Sequence, residues 1–105
     1  MSQTTAQIRL RQRRLYFPRA AYEAYFAGCS TVILLRKAQD LLVLPVRHAA
    51  SGGYMLKIRN VSGDRVVDAG DFFRDQGLGD GAEWEGTHSW SETSGGLQLY
   101  EVFLM

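Results

Sequence analysis

The residues best suited to chemistry are five arginines near the start of the chain: Arg9, Arg11, Arg13, Arg14 and Arg19. A guanidinium is planar, permanently charged and carries its N–H donors in a fork that grips phosphate oxygens in pairs. Arg9, Arg11 and Arg13 occupy alternate positions, so in an extended segment they share one face at intervals of about 6 to 7 Å. Such a row can contact phosphates, with Arg19 adding charge at an adjacent helix start. The same residues have structural uses. Charged side chains protect an exposed strand edge from unwanted pairing, and they can bridge to carboxylates elsewhere.

Nucleophilic and metal chemistry have less to stand on. His48 and His88 are far apart in sequence, and neither sits in a Cys/His cluster with metal-ligand spacing. Cys29 follows Gly28 at the end of a helical stretch and reads as a small buried hydrophobe rather than a nucleophile. Gly77-Leu78-Gly79-Asp80-Gly81 lacks the Lys-Ser/Thr that a phosphate-cradling loop needs. The expectation is a protein that is not an enzyme and holds no metal or cofactor. Trp84 and Trp90 form a second candidate site, as anchors of a protein interface. Alternatively, both rings close the bottom of a small core.

Charge is divided unevenly along the chain. Residues 1–50 carry Arg9, Arg11, Arg13, Arg14, Arg19, Arg36, Lys37 and Arg47 against only Glu23 and Asp40, whereas residues 51–105 carry four basic residues against nine acidic ones. Two readings follow: a basic face for duplex DNA, or complementary surfaces by which copies of the chain, or its two halves, attract one another. A homo-oligomer is expected, and one held by basic-to-acidic pairing would loosen as salt rises. At 105 residues the chain suits a single domain, 1–105, with its own apolar core. There is no second cysteine to form a disulfide, no secretory apolar segment and no apolar run near eighteen residues. A cytoplasmic, non-membrane protein is the expectation.

The elements that must position these residues read as two similar units, about 7–47 and 54–103. Met1 to Ala6 is a polar lead, and Gln7 to Tyr16 alternates as an edge strand with Ile8 and Leu10 inward. Pro18 suits the first helical position, and Arg19 to Phe26 predicts two helical turns in which the i, i+4 pairs Ala21/Tyr25 and Tyr22/Phe26 let two aromatics pack downward, with Gly28 as cap. Thr31–Leu35 and Leu41–Leu44 predict central strands buried on both faces, joined by a polar turn over 36–40. Residues 47–53 connect the units.

In the second unit, Tyr54 to Arg59 alternates with Tyr54, Leu56 and Ile58 inward, and a turn over 60–64 leads into a strand at Arg65-Val66-Val67. Asp68 is the expected N-cap of a short helix that buries Phe72 and Phe73 and ends at Gly77, with Leu78 folding back. Residues 82–90 and 96–103 predict a second, more polar hairpin. The expected fold is mainly β with two short helices (α+β), a pseudo-duplicated small barrel of two strand-helix-hairpin units.

Leu15-Tyr16-Phe17-Pro18-Arg19, with Gly28 after the helix, resembles the signature of the swapped-hairpin AbrB and MraZ families of bacterial transcription regulators. Gly63-Asp64-Arg65-Val66-Val67-Asp68-Ala69 is similar to its second appearance, with Ala69 in place of the proline. The resemblance implies an interleaved barrel, ring-forming oligomers and DNA bound through basic residues at the start of a unit. Acidic neighbours surround Asp64-Arg65, so only the first unit is expected to contact DNA. The functional expectation is a DNA-binding transcription regulator using Arg9, Arg11, Arg13, Arg14 and Arg19. The alternative is an assembly module, an accessory protein of an enzyme complex, with no nucleic-acid role.

Overall fold

A computed structural model describes residues 7–46 and 53–104. The expected polar lead at 1–6 and most of the connection at 47–53, with Arg47 and His48, lie outside the described residues. β1 (Arg9–Arg11) and β2 (Arg14–Phe17) are joined by Gln12 and Arg13 alone, and Arg11 pairs with Arg14. Both loop residues take positive φ, 51° and 60°, as a two-residue turn matched to the right-handed strand twist requires. The edge strand expected over 7–16 is thus corrected twice. It is a hairpin, and β1 lies inside its sheet between β2 and β8 (Glu83–Glu85).

Pro18 precedes α1 (Arg19–Tyr25) as its N-cap rather than entering the first turn, because its ψ of 153° is extended. Tyr22 and Tyr25 are half-buried, Phe26 is fully buried just past the helix, and Gly28 takes φ 84°. β3 (Thr31–Lys37) and β4 (Asp40–Val46) then form a hairpin through Ala38 and Gln39. Val32, Leu34, Leu41 and Val43 face the core, but Ile33 and Leu35 are 38% and 47% exposed. The expectation of strands buried on both faces is therefore overturned for β3.

The segment 54–59 is not one strand. β5 (Tyr54–Met55) joins one sheet and β6 (Lys57–Ile58) the other, and the chain crosses between them at buried Leu56, whose N–H bonds the Ser30 carbonyl at 2.8 Å. Ile58, expected inward, sits on an edge strand at 70% exposure. β7 (Arg65–Asp68) leads to α2 (Gly70–Asp75), where Ala69, not Asp68, is the N-cap and no side chain caps the helix. Asp68 remains in the strand opposite Arg14. Gly77 at φ 89° ends α2 as expected: its N–H bonds the Arg74 carbonyl and that of Leu78 the Phe73 carbonyl, both at 2.9 Å. This double closure satisfies two terminal carbonyls while burying Leu78.

The expected strand over 82–90 also divides, into β8 and β9 (His88–Ser91), with the crossing at Gly86-Thr87. A Cβ on Gly86 would stand 3.1 Å from Trp84 Nε1, so glycine lets the indole lie along the backbone. β10 (Gly96–Leu99) is shorter than the expected 96–103, since residues 100–103 turn and bury Val102 and Phe103.

The protein is mainly β with two short helices, built as two antiparallel five-stranded sheets. Sheet A runs β6-β7-β2-β1-β8 and sheet B runs β5-β3-β4-β10-β9. Leu10, Leu15, Phe17 and Val67 of sheet A meet Val32, Leu41, Val43, Leu97 and Leu99 of sheet B in one core, with Phe26 and Phe73 added by the helix ends. Phe17 and Phe26 meet edge to face at 5.4 Å. Each such side chain contributes about 1.5 to 3 kcal/mol by leaving water. At the centre of both sheets a strand of the N-terminal half pairs with one of the C-terminal half: β2 with β7, and β4 with β10.

Candidate nucleic-acid interface

Leu10, Leu15 and Val67 point into the core, so alternation turns their neighbours on β1, β2 and β7 to the outer face of sheet A. The strand register arranges that face in two rows. One row runs Asp68, Arg14, Arg11, Glu83, and the next runs Lys57, Val66, Tyr16, Arg9, Glu85. In the first row each arginine has an acidic neighbour: Arg14 Nε lies 3.4 Å from Asp68 Oδ2, and Arg11 Nε lies 3.9 Å from Glu83 Oε2. The Tyr16 hydroxyl and the Asp68 carboxylate hold the Arg14 guanidinium above its ordinary pKa.

The second row is less compensated. Arg9 faces Glu85 in register but makes no ion pair among the described residues, and the same is true of Lys57. Arg59 completes the cluster, its Cζ 4.9 Å from the centre of the Tyr16 ring. Stacking of this kind orients a guanidinium without neutralising it. The outer face therefore carries Arg9, Arg11, Arg14, Lys57 and Arg59 against Asp68, Glu83 and Glu85, with Tyr16 in the middle.

The five arginines singled out in the sequence do not all meet here. Arg9, Arg11 and Arg14 share the outer face. Arg13, in the hairpin turn, donates from Nε to the Leu78 carbonyl at 2.9 Å and places Nη1 3.2 Å from Asp80, tying β1–β2 to the loop after α2. Arg19 pairs with Glu23 one helical turn on, at 2.9 Å, which raises its pKa. Three of the ion pairs, to Glu83, Asp80 and Asp68, join the basic half of the chain to its acidic half within one molecule. Lys57, Arg59 and Tyr16 were missed by the sequence reading. The alternation of Lys57 and Arg59 was visible, but their place beside Tyr16 depends on the β6·β7·β2 pairing.

Trp84 and Trp90 are both half-buried against the core. Trp84 Nε1 donates to the Tyr100 carbonyl at 2.9 Å, and Trp90 stacks flat on Tyr25 at 6.0 Å with 1° between the rings. His88 meets the other edge of Tyr25 at 5.8 Å. Burial lowers its pKa, and Nδ1 has no hydrogen-bond partner among the described residues, so the ring is neutral at pH 7. Among the described residues no three of His, Cys, Asp and Glu gather closely enough to hold a metal ion, and no helix is long and apolar enough to cross a membrane. Compared with protein-family models, curated proteins and solved structures, the chain matches none of them.

Proposed function

We propose that this chain is a non-enzymatic, cytoplasmic DNA-binding regulator that lays the outer face of sheet A along the phosphates of a duplex. The observation that carries the reading is the row of Arg9, Tyr16 and Lys57 with Arg59 stacked on Tyr16: none of these three basic side chains makes an ion pair within the described residues, which leaves their charge open to an external anion. Arg11 and Arg14 extend it, each able to exchange an exposed carboxylate for a phosphate oxygen at little cost, since exposed ion pairs are worth about 0 to 1 kcal/mol. The likeness of Leu15 to Arg19 to swapped-hairpin regulators supports the same reading, as does the side-by-side placement of two strand-helix units through β2 and β7.

The test is a mobility-shift titration over a range of salt concentrations with the parent protein and an R11Q/R14Q/K57Q variant. The variant is expected to weaken binding to every duplex sequence and to flatten the logarithmic salt slope by about 2 to 3. A parent protein that never shifts duplex DNA, even at low salt, would overturn the reading. A second reading, an assembly module, is favoured by a different observation. Ile33, Leu35 and Met55 leave an aliphatic surface exposed on the outside of sheet B.

A further inference from the structure

Arg65 is turned away from the outer face of sheet A. In register it stands between Ile58 of β6 and Phe17 of β2. Phe17 is buried, so all three side chains project to the inner side of the sheet. There the Arg65 guanidinium lies over the Tyr22 ring of α1, with Cζ 3.9 Å from the ring centre and Nη1 donating to the Gly63 carbonyl. Ile58, beyond it, is left 70% exposed. The two form the floor of an open cleft, walled by Arg19, Tyr22 and Glu23 on one side and by residues 60–63 on the other. Val61 in that turn is wholly exposed. The cleft has a volume of about 370 Å³, the size of pockets that hold small molecules.

The charges around this cleft are unequally committed. Arg19 Nε lies 2.9 Å from Glu23 Oε2, so that pair is closed on itself. The neighbouring Asp64 carboxylate is also engaged: Oδ1 accepts the Arg19 N–H at 2.8 Å and Oδ2 the Asn60 amide at 3.1 Å. Arg65 is half-buried and makes no ion pair among the described residues. The Tyr22 ring covers the face of its guanidinium and leaves the N–H donors at the edge, in the plane, for another acceptor. The lining thus offers one oriented, uncommitted cation beside two exposed aliphatic side chains. A single guanidinium fork matches the two oxygens of a carboxylate. A phosphate dianion would call on a second cation, and Arg19 is already taken. The aliphatic side chains gain nothing from a sugar-phosphate backbone but can bury hydrocarbon.

We propose that this cleft binds an aliphatic carboxylate, its two oxygens on the open edge of the Arg65 guanidinium and its hydrocarbon part across Ile58 and Val61. The site lies on the other side of sheet A from the surface assigned to duplex DNA and does not depend on that reading. Two sources share this chemistry, a free branched-chain acid and the C-terminal carboxylate of a peptide that ends in an aliphatic residue.

The full chain would be titrated with isocaproate, with its uncharged amide and with inorganic phosphate at matched ionic strength, following the Arg65 Nε–Hε and the Ile58 and Val61 methyl resonances by NMR. Isocaproate alone is expected to move all of them along one saturating curve. R65Q should weaken the apparent affinity by about tenfold, as loss of a charge-assisted pair of hydrogen bonds predicts. Should R65Q fail to fold, V61S, at a fully exposed position, leaves the fold intact and is expected to weaken binding about threefold through lost apolar contact. A short peptide ending in leucine, with a free C-terminus, separates the sources: tighter binding than isocaproate assigns a protein C-terminus, and weaker binding assigns a free acid. Either result stands whether or not the protein shifts duplex DNA, since no nucleic acid is present. Equal responses to the acid and its amide, or to the acid and phosphate, would overturn the proposal, as would an unchanged affinity in V61S.

Discussion

Asp64 caps a helix forty-five residues away. Its Oδ1 accepts the Arg19 N–H at the start of α1, and its own turn is braced by Asn60, which donates to Oδ2 and accepts the Asp64 N–H. The Asn60 amide first, then the Arg19 N–H, lowers the Asp64 pKa. A carboxylate with a depressed folded-state pKa stabilises fully above its unfolded value of about 3.9 and loses that contribution as pH falls through the lower folded value. D64A should therefore cost about 1 kcal/mol near neutrality, as removal of a cap does. Thermal melts of both proteins at pH 7 and near pH 2 would check it, and a gap that stayed constant with pH would refute the charge-dependent part. None of this was legible locally: Asp68 looked like the capping residue of the second helix, yet it is spent on Arg14, and the working cap belongs to the first helix and comes from the other half.

The elements most legible in the sequence are those whose ends carry their own chemistry. Gly28 and Gly77 close the two helices because each must take positive φ, and the polar run over 36–40 does turn the chain between two apolar strands. The hairpin closed by Gln12 and Arg13 is less legible: both adopt positive φ without the asparagine or glycine that would announce it. The sheet crossings at Leu56 and Gly86 are less legible still, because alternation continues through them and only the neighbouring strands differ. Ala38 offers a test at this scale. It is exposed at φ 56°, so A38G should relieve backbone crowding and stabilise the protein by about 0.5 to 1 kcal/mol. A rise in midpoint on chemical denaturation with an unchanged slope would support this, and a fall would mean that the left-handed conformation costs alanine nothing here.

On the scale of the whole molecule, the division of charge that suggested attraction between copies is partly used within one copy, through Arg11–Glu83, Arg13–Asp80 and Arg14–Asp68. What remains for assembly is the outside of sheet B, where Ile33 faces Leu44 and Leu35 faces Leu42 in register, with Met55 on the adjoining strand. An aliphatic patch of this kind, bounded at one end by Lys37 and Asp40, can pack on its own copy, which is what a two-fold interface needs. If copies associate there, light scattering should find an oligomer that persists or tightens as salt rises, since screening weakens ion pairs while many salts strengthen apolar burial. An I33E/L35K pair should return it to monomer with the fold intact. A parent protein already monomeric at micromolar concentration would remove this surface from consideration.

The pairing of β4 with β10 also bears on how the protein is made. Leu41 to Val43 wait for Leu97 to Leu99, which follow them far along the chain, and β2 waits likewise for β7. Neither sheet can be completed before its late strands are made, so the aliphatic strand β4 waits without one of its final neighbours. Long-range pairing of this kind is slow and prone to misassociation. The sheets are therefore completed late relative to synthesis of their N-terminal strands, and the need for chaperones should scale with the rate at which the chain is synthesised.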